Sequence, residues 1–414
     1  MTSKSLLTLT ICVGMLLLPI LSSALETKLS GEFWGRWINE TAQKKDASGA
    51  YTDKVISNYL SLERGYFGLE TKFSESTKAR FTIDIFTTDK THEYQASTIN
   101  DSTQTTLPIE PATLTTTTKT GSLDGAGLKI KYAYVDFGKL IPVPDMVLSA
   151  GMQKVYFGTI YDWNYTLIGK APTDEYKVAN SADLGVTLNG FLPQGYGEYA
   201  LGVYNGEGYK KVASSLKENT DFAYLANLRL TPIPGITVGG SYMMNTVGRS
   251  EALDGGVKNA SYEEQNLMDG VVRLAYGPVD VWGEYISKAV KYPNETSSSK
   301  TKEYTATGLS IFPIISLKEF LPYDIQLVGR YDTWDESDRI AADKSRSSLS
   351  AITMGANYNF LHDEAANPNM QLQLNYTTKK YDEAKSHSDF ADGKKDTSQI
   401  NLQLKWRFSS VIAN

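Results

Sequence analysis

The chain has 414 residues, a formal net charge of −6 and a mean hydropathy of −0.30, with 41% of residues hydrophobic. The acidic balance argues against a nucleic-acid binder, which needs a clustered basic surface. A single cysteine, Cys12, excludes a disulfide framework and a thiolate metal site.

The first element is a leader. Lys4 supplies positive charge, residues 6–21 are nearly all apolar, and Ser22, Ser23 and Ala24 offer small side chains for cleavage. Residues 1–24 therefore read as a secretory signal peptide cut after Ala24, and 25–414 as one domain. The rival reading, a membrane anchor, has a short apolar run interrupted by Pro19. Beyond Ala24 no stretch approaches the roughly twenty apolar residues of a spanning helix.

From there the sequence alternates with period two, which predicts sixteen strands at 28–40, 58–73, 77–87, 127–138, 146–157, 181–191, 197–205, 222–231, 235–246, 264–277, 279–288, 302–312, 323–334, 348–361, 370–380 and 397–408. The last is clearest: Ile400, Leu402, Leu404, Trp406 and Phe408 share one face, with Asn401, Gln403, Lys405 and Arg407 on the other. One greasy and one charged face suit lipid outside and water inside, the pattern of an all-β transmembrane antiparallel barrel. Segment 127–138 is ambiguous, because Lys129 and Lys131 share a face with Ala133, Val135 and Phe137, a placement that fits lysines above the membrane.

Connections alternate long and short, as outer-membrane barrels do. The short ones carry turn residues, as at Gly277-Pro278. The long ones, at roughly 41–57, 88–126, 158–180, 206–221, 247–263, 289–301, 335–347 and 381–396, are polar. The second, with Thr115 to Thr118, reads as a solvated loop. The third differs: Ile160, Tyr161, Trp163, Tyr165, Leu167 and Ile168 are too apolar for a segment in water, and predict an inward-folded constriction. Packing over the rim or against a neighbouring protomer is the alternative.

Four segments resemble the phosphate-selective porin O and P family: 64–70 (RGYFGLE), 132–137 with 150–158 (YAYVDF, AGMQKVYFG), 181–186 (SADLGV) and 203–208 (VYNGEG), with 328–332 (VGRYD) later. The resemblance spans roughly 30–408 and implies a sixteen-stranded trimeric anion channel with an inward third loop. Two departures stand out. Phe408 is followed by six more residues, and the third loop has only Lys170 and Lys177 against Asp162, Asp174 and Glu175.

A channel needs charges at its narrowest point. Alternation turns Arg36, Arg64, Arg80, Arg229, Arg273, Arg330 and Arg407 inward. Arg407, Arg36, Arg64 and Arg80 fall on strands that become neighbours on closure, a cationic arc facing the loop residues Tyr161, Asp162, Trp163, Lys170, Asp174, Glu175 and Lys177. The alternative is that these arginines pair with inward carboxylates such as Glu32, Asp84 and Asp332. Inward Trp34, Trp282 and Trp334 are either a sugar-sliding track or lumen packing. His92, His362 and His387 fall in loops or turns, too scattered for a zinc or hydrolytic site. The expectation is an outer-membrane channel rather than an enzyme, without cofactor or metal. It would pass small hydrophilic solutes, with anions preferred, and sit as a trimer among lipid and lipopolysaccharide. A barrel filled by a protein partner such as a periplasmic cytochrome, or a barrel enzyme, are the alternatives.

Overall fold

The computed structural model describes residues 26–45, 51–87, 126–209, 221–252, 258–291, 303–336, 348–362, 368–381 and 396–412. The leader, Thr115 to Thr118, His92 and His387 lie outside these. Sixteen strands are found among the described residues. They are β1 (Glu26–Lys45), β2 (Tyr51–Lys72), β3 (Thr77–Thr87), β4 (Ala126–Gly138), β5 (Met146–Lys154) and β6 (Ala182–Leu192). There follow β7 (Gly197–Tyr204), β8 (Ala223–Ile233), β9 (Ile236–Ala252), β10 (Lys258–Tyr276) and β11 (Val279–Lys291). The last are β12 (Glu303–Ser316), β13 (Asp324–Asp335), β14 (Leu349–His362), β15 (Pro368–Tyr381) and β16 (Asp396–Ile412).

Each strand pairs antiparallel with its chain neighbours, and β1 pairs with β16 to close the barrel. Closure leaves no unpaired edge, which lipid would not tolerate. The expected strands are present at nearly the expected positions, with longer hairpins: β1 continues to Lys45, β2 starts at Tyr51, and β9 and β10 rise to Ala252 and Lys258. Residues Ser409–Ile412 continue β16 beyond Phe408, opposite Thr27 to Ser30 of β1. Strand β5 stops at Lys154 rather than 157, because the chain there turns into the barrel.

The alternation sorts as read. Leu372, Leu374, Tyr376, Ile400, Leu402 and Leu404 stand exposed on the outer face, while Gln373, Asn375, Asn401, Gln403 and Lys405 are buried on the inner one. Bulges reset the phase where strict alternation fails. Opposite Thr82 and Ile83 the register of β4 jumps from Tyr132 to Ile130, so Lys131 is the extra residue. Leu128 and Ile130 before the bulge are exposed outside, whereas Lys129 and Lys131 lie over the rings of Phe86 and Tyr209 inside. The two lysines thus face the lumen, and the shared face read from strict alternation is corrected by one inserted residue. A second bulge, opposite Trp34 and Gly35, inserts Glu63 beside Arg64 and turns both charges inward.

An arginine in the outer apolar band should cost about 2–4 kcal/mol near a bilayer midplane. We expect Leu402→Arg to lower unfolding stability in lipid vesicles by that order, read from urea titration of tryptophan emission.

Candidate functional site: the lumen and its third loop

The third loop, residues 155–181, leaves β5 and fills one side of the barrel. Its apolar side chains Val155, Phe157, Ile160, Ala171, Val178 and Ala179 pack with wall residues Leu225, Met243, Leu267, Ile286, Val290 and Trp334 into one buried cluster. These wall positions lie on the inner face of β8 to β13, where a water-filled lumen would call for polar side chains. A loop that buries apolar surface there gains roughly 25 cal/mol per Å². The three inward tryptophans serve the same docking. Trp34 packs on Tyr165 with ring centroids 4.5 Å apart, and Trp334 stacks on Tyr176 at 4.9 Å. Trp282 joins Trp163 against the cluster of Leu167, Phe312 and Val328. They are engaged in lumen packing, not aligned as a sliding track.

A backbone inside a barrel needs hydrogen-bond partners that no sheet supplies. Wall side chains provide them. Gly158 N donates to Ser241 Oγ at 3.0 Å, and Glu284 accepts from Thr159 N at 3.0 Å and Thr159 Oγ1 at 2.7 Å. Gly158 has φ +51°, and a Cβ there would run into Glu284 and Asp269, so the turn needs glycine. Arg229, buried, donates to Asp162 Oδ2 at 2.6 Å and to the Gly158 carbonyl. On the far wall Gln373 Nε2 donates to the carbonyls of Tyr165 at 3.0 Å and Thr166 at 3.1 Å. Asn357 Nδ2 reaches the Thr166 carbonyl at 2.6 Å, Lys405 Nζ the carbonyls of Asn164 and Tyr165, and Arg330 Nη1 that of Lys170 at 2.6 Å. The buried amides of β14 to β16, which period-two reading marks only as a polar face, are the loop's cradle. Their clustering on adjacent strands is the signal available in the sequence.

All seven arginines face inward, with different surroundings. Arg407 pairs with Glu32 at 3.1 Å, Arg36 with Glu63 at 3.2 Å, Arg64 with Asp84 at 2.7 Å, Arg330 with Asp332 at 2.7 Å and Arg273 with Asp280 at 2.8 Å. Arg80 has no carboxylate partner among the described residues and lies over the Tyr132 ring, 4.8 Å from its centroid. The arc of four exists on neighbouring strands, but three of its members are ion-paired. The loop's acids divide: Asp162 is held by Arg229 of β8, whereas Glu175, bound to Lys379 of β15 at 2.9 Å, lines one cavity together with Arg36 and Arg64 of the arc. Tyr161 donates to Glu198, and Asp174 sits in the helical turn Pro172–Glu175. Lys170 and Lys177 are exposed, and Lys177 accepts Lys288 on its carbonyl. Toward the arc the loop presents Tyr165 as well as Glu175.

Two cavities lie on either side of the loop. The one toward the long connections, about 230 Å³, is lined by Arg36, Glu63, Arg64, Lys170, Glu175, Arg330, Asp332 and Lys379 among others. The one toward the short turns, about 480 Å³, is lined by Lys28, Glu32, Glu70, Arg80, Lys131, Tyr132 and Arg407. Arg273 lines a third, about 210 Å³, beside Trp282. His362 lies apart from these cavities and contacts Asp324 at 2.9 Å.

Asp269 stands beside Glu284 with no donor on either oxygen among the described residues. Burial works to raise the Glu175 carboxyl, yet Lys379, backed by Arg330 and Lys170, outweighs it and holds the group below the usual carboxylate range.

None of the protein-family models matches the chain, and no curated protein matches it. Solved structures match its fold. OmpT of Vibrio cholerae, an outer membrane protein seen in trimer form, superposes with a TM-score of 0.54 at 8% identity, over 92% of this chain and 99% of that one. An anion-selective porin from Comamonas acidovorans gives 0.52 at 12% identity, over 92% and 99%. The outer membrane channel DcaP of Acinetobacter baumannii gives 0.51 at 12%, over 92% and 97%. The chain has the closed sixteen-stranded fold of outer-membrane porins.

Two outcomes follow from the docking. Glu284→Ala removes both acceptors of Thr159 and should cost about 1–3 kcal/mol, seen as a lower thermal unfolding midpoint and faster protease cleavage within 155–181. The Glu175–Lys379 clamp contributes above the unfolded carboxylate pKa of about 4.3 and is lost only as pH falls through the depressed folded value. The midpoint difference between wild type and Glu175→Gln should therefore be full at neutral pH, persist to pH 5 and vanish in stronger acid.

Proposed function

We propose that this chain is an outer-membrane channel for passive diffusion of small hydrophilic solutes, with anions preferred, and not an enzyme. The observation that carries the reading is the pair of polar cavities facing each other across an inward loop within a closed barrel. Charge supports the preference. Toward the short turns four cations (Lys28, Arg80, Lys131, Arg407) meet two carboxylates (Glu32, Glu70), and toward the long connections five cations meet three carboxylates. A cationic surplus in a confined aqueous space favours anions. Arg80, which makes no ion pair with a carboxylate among the described residues, is one member of that surplus. Phosphate and related oxyanions are the solutes that the family resemblance suggests testing first. Export through the 1–24 leader, residence in the outer membrane and assembly as a trimer complete the proposal. A barrel filled by a protein partner fits less well, because the chain's own loop already occupies much of the interior.

Reversal potential across planar bilayers under a potassium chloride gradient tests the reading. Wild type should show anion preference, and Arg80→Ala should move the potential toward the cation-selective side. Equal or opposite selectivity in wild type would remove the anion preference, and silence from folded, heat-modifiable protein would remove the channel.

A further inference from the structure

The two cavities share a single lining residue, Tyr165. We infer that Tyr165, not the arginine arc, is the size-determining residue of the permeation path; this rests on the channel reading above. Four observations converge on the side chain. Its backbone sits at φ +55°, a left-handed conformation that a bulky residue adopts only when its surroundings impose it. Those surroundings are visible: Gln373 and Lys405 both hold the Tyr165 carbonyl from the β15–β16 wall, which fixes the residue beside β1. The ring lands on Trp34, itself buried and fixed by its indole N–H on Glu32 at 2.7 Å. Beyond it stands the group the ring must pass solutes against. Arg64 donates to Asp84 at 2.7 Å and to the Tyr66 hydroxyl at 3.1 Å, and Tyr66 packs edge-on against Trp34 at 5.8 Å.

The wall opposite is thus as rigid as the loop tip. Asp84 is buried and bound to Arg64, so neither retracts without leaving an unpaired charge. A solute passing from one cavity to the other must pass the Tyr165 ring, with Arg64 lining the cavity on one side and Tyr66 the cavity on the other. Ring bulk therefore sets the size limit, while Arg64 lines the cavity beside it. The tyrosine hydroxyl is dispensable for this role, whereas the ring is not.

Single-channel conductance and the size of polyethylene glycol that enters the pore test the inference, using the full-length protein in planar bilayers. Tyr165→Gly is the informative variant, since glycine accepts positive φ and keeps the loop backbone. It should raise conductance at least about twofold and admit larger polymer, because the constriction governs flux, whereas Tyr165→Phe should stay near wild type. In Tyr165→Cys, water-soluble methanethiosulfonate reagents should react and lower the conductance; Cys12, the chain's one cysteine, precedes the cleavage site expected after Ala24. A silent wild type that conducts once Tyr165→Gly is introduced also supports the assignment. Conductance and polymer limit unchanged in Tyr165→Gly would overturn it and leave the channel reading intact. Silence from both folded proteins would sink the channel reading and this inference with it.

Discussion

The structure depends on one requirement: the third loop crosses a barrel interior, and its peptide groups must be hydrogen-bonded there by side chains. Buried peptide groups without partners are costly, about 1–3 kcal/mol each. The barrel meets the demand from both walls at once. Glu284, Ser241 and Arg229 hold the entry of the loop, while Gln373, Asn357, Lys405 and Arg330 hold its middle. Everything that distinguishes this lumen from an open tube follows from that clamp.

The clamp also explains how the charges are spent. Arg229, Arg330 and Lys379 would count toward selectivity in a tally of inward cations, yet each is committed to the loop or its neighbours. Of the loop's acids, Asp162 and Glu175 are committed likewise, to Arg229 and Lys379. What remains is a cationic surplus near the short turns, with Arg80 over the Tyr132 ring, and the contact of Tyr165 on Trp34 between the two cavities.

Bulges supply the fine adjustment. A strict two-residue alternation allows one charged residue per inward position. The inserted Glu63 and Lys131 place additional charges inside without exposing any to lipid, since the residues beyond each bulge regain the outward phase. Both bulges lie on β2 and β4, flanking the buried Asp84 of β3.

The sequence by itself determined the barrel. Lipid on one face and water on the other impose period two on every strand, and chain connectivity imposes short and long connections, so strand number, order and the inward phase of Arg36, Arg64 and Arg80 are local properties that a single sequence carries. The apolar third loop was legible for the same reason, as greasy residues where solvent was expected. Only the tertiary structure decided what the loop meets. That Leu267 and Ile286 line a buried core rather than water, that Gln373 and Lys405 hold the carbonyl of Tyr165, and that Glu175 faces Lys379 are contacts between residues more than a hundred positions apart or across strands without shared periodicity. The phase of Lys131 depended on a register shift against β3, which pairing sets and composition does not.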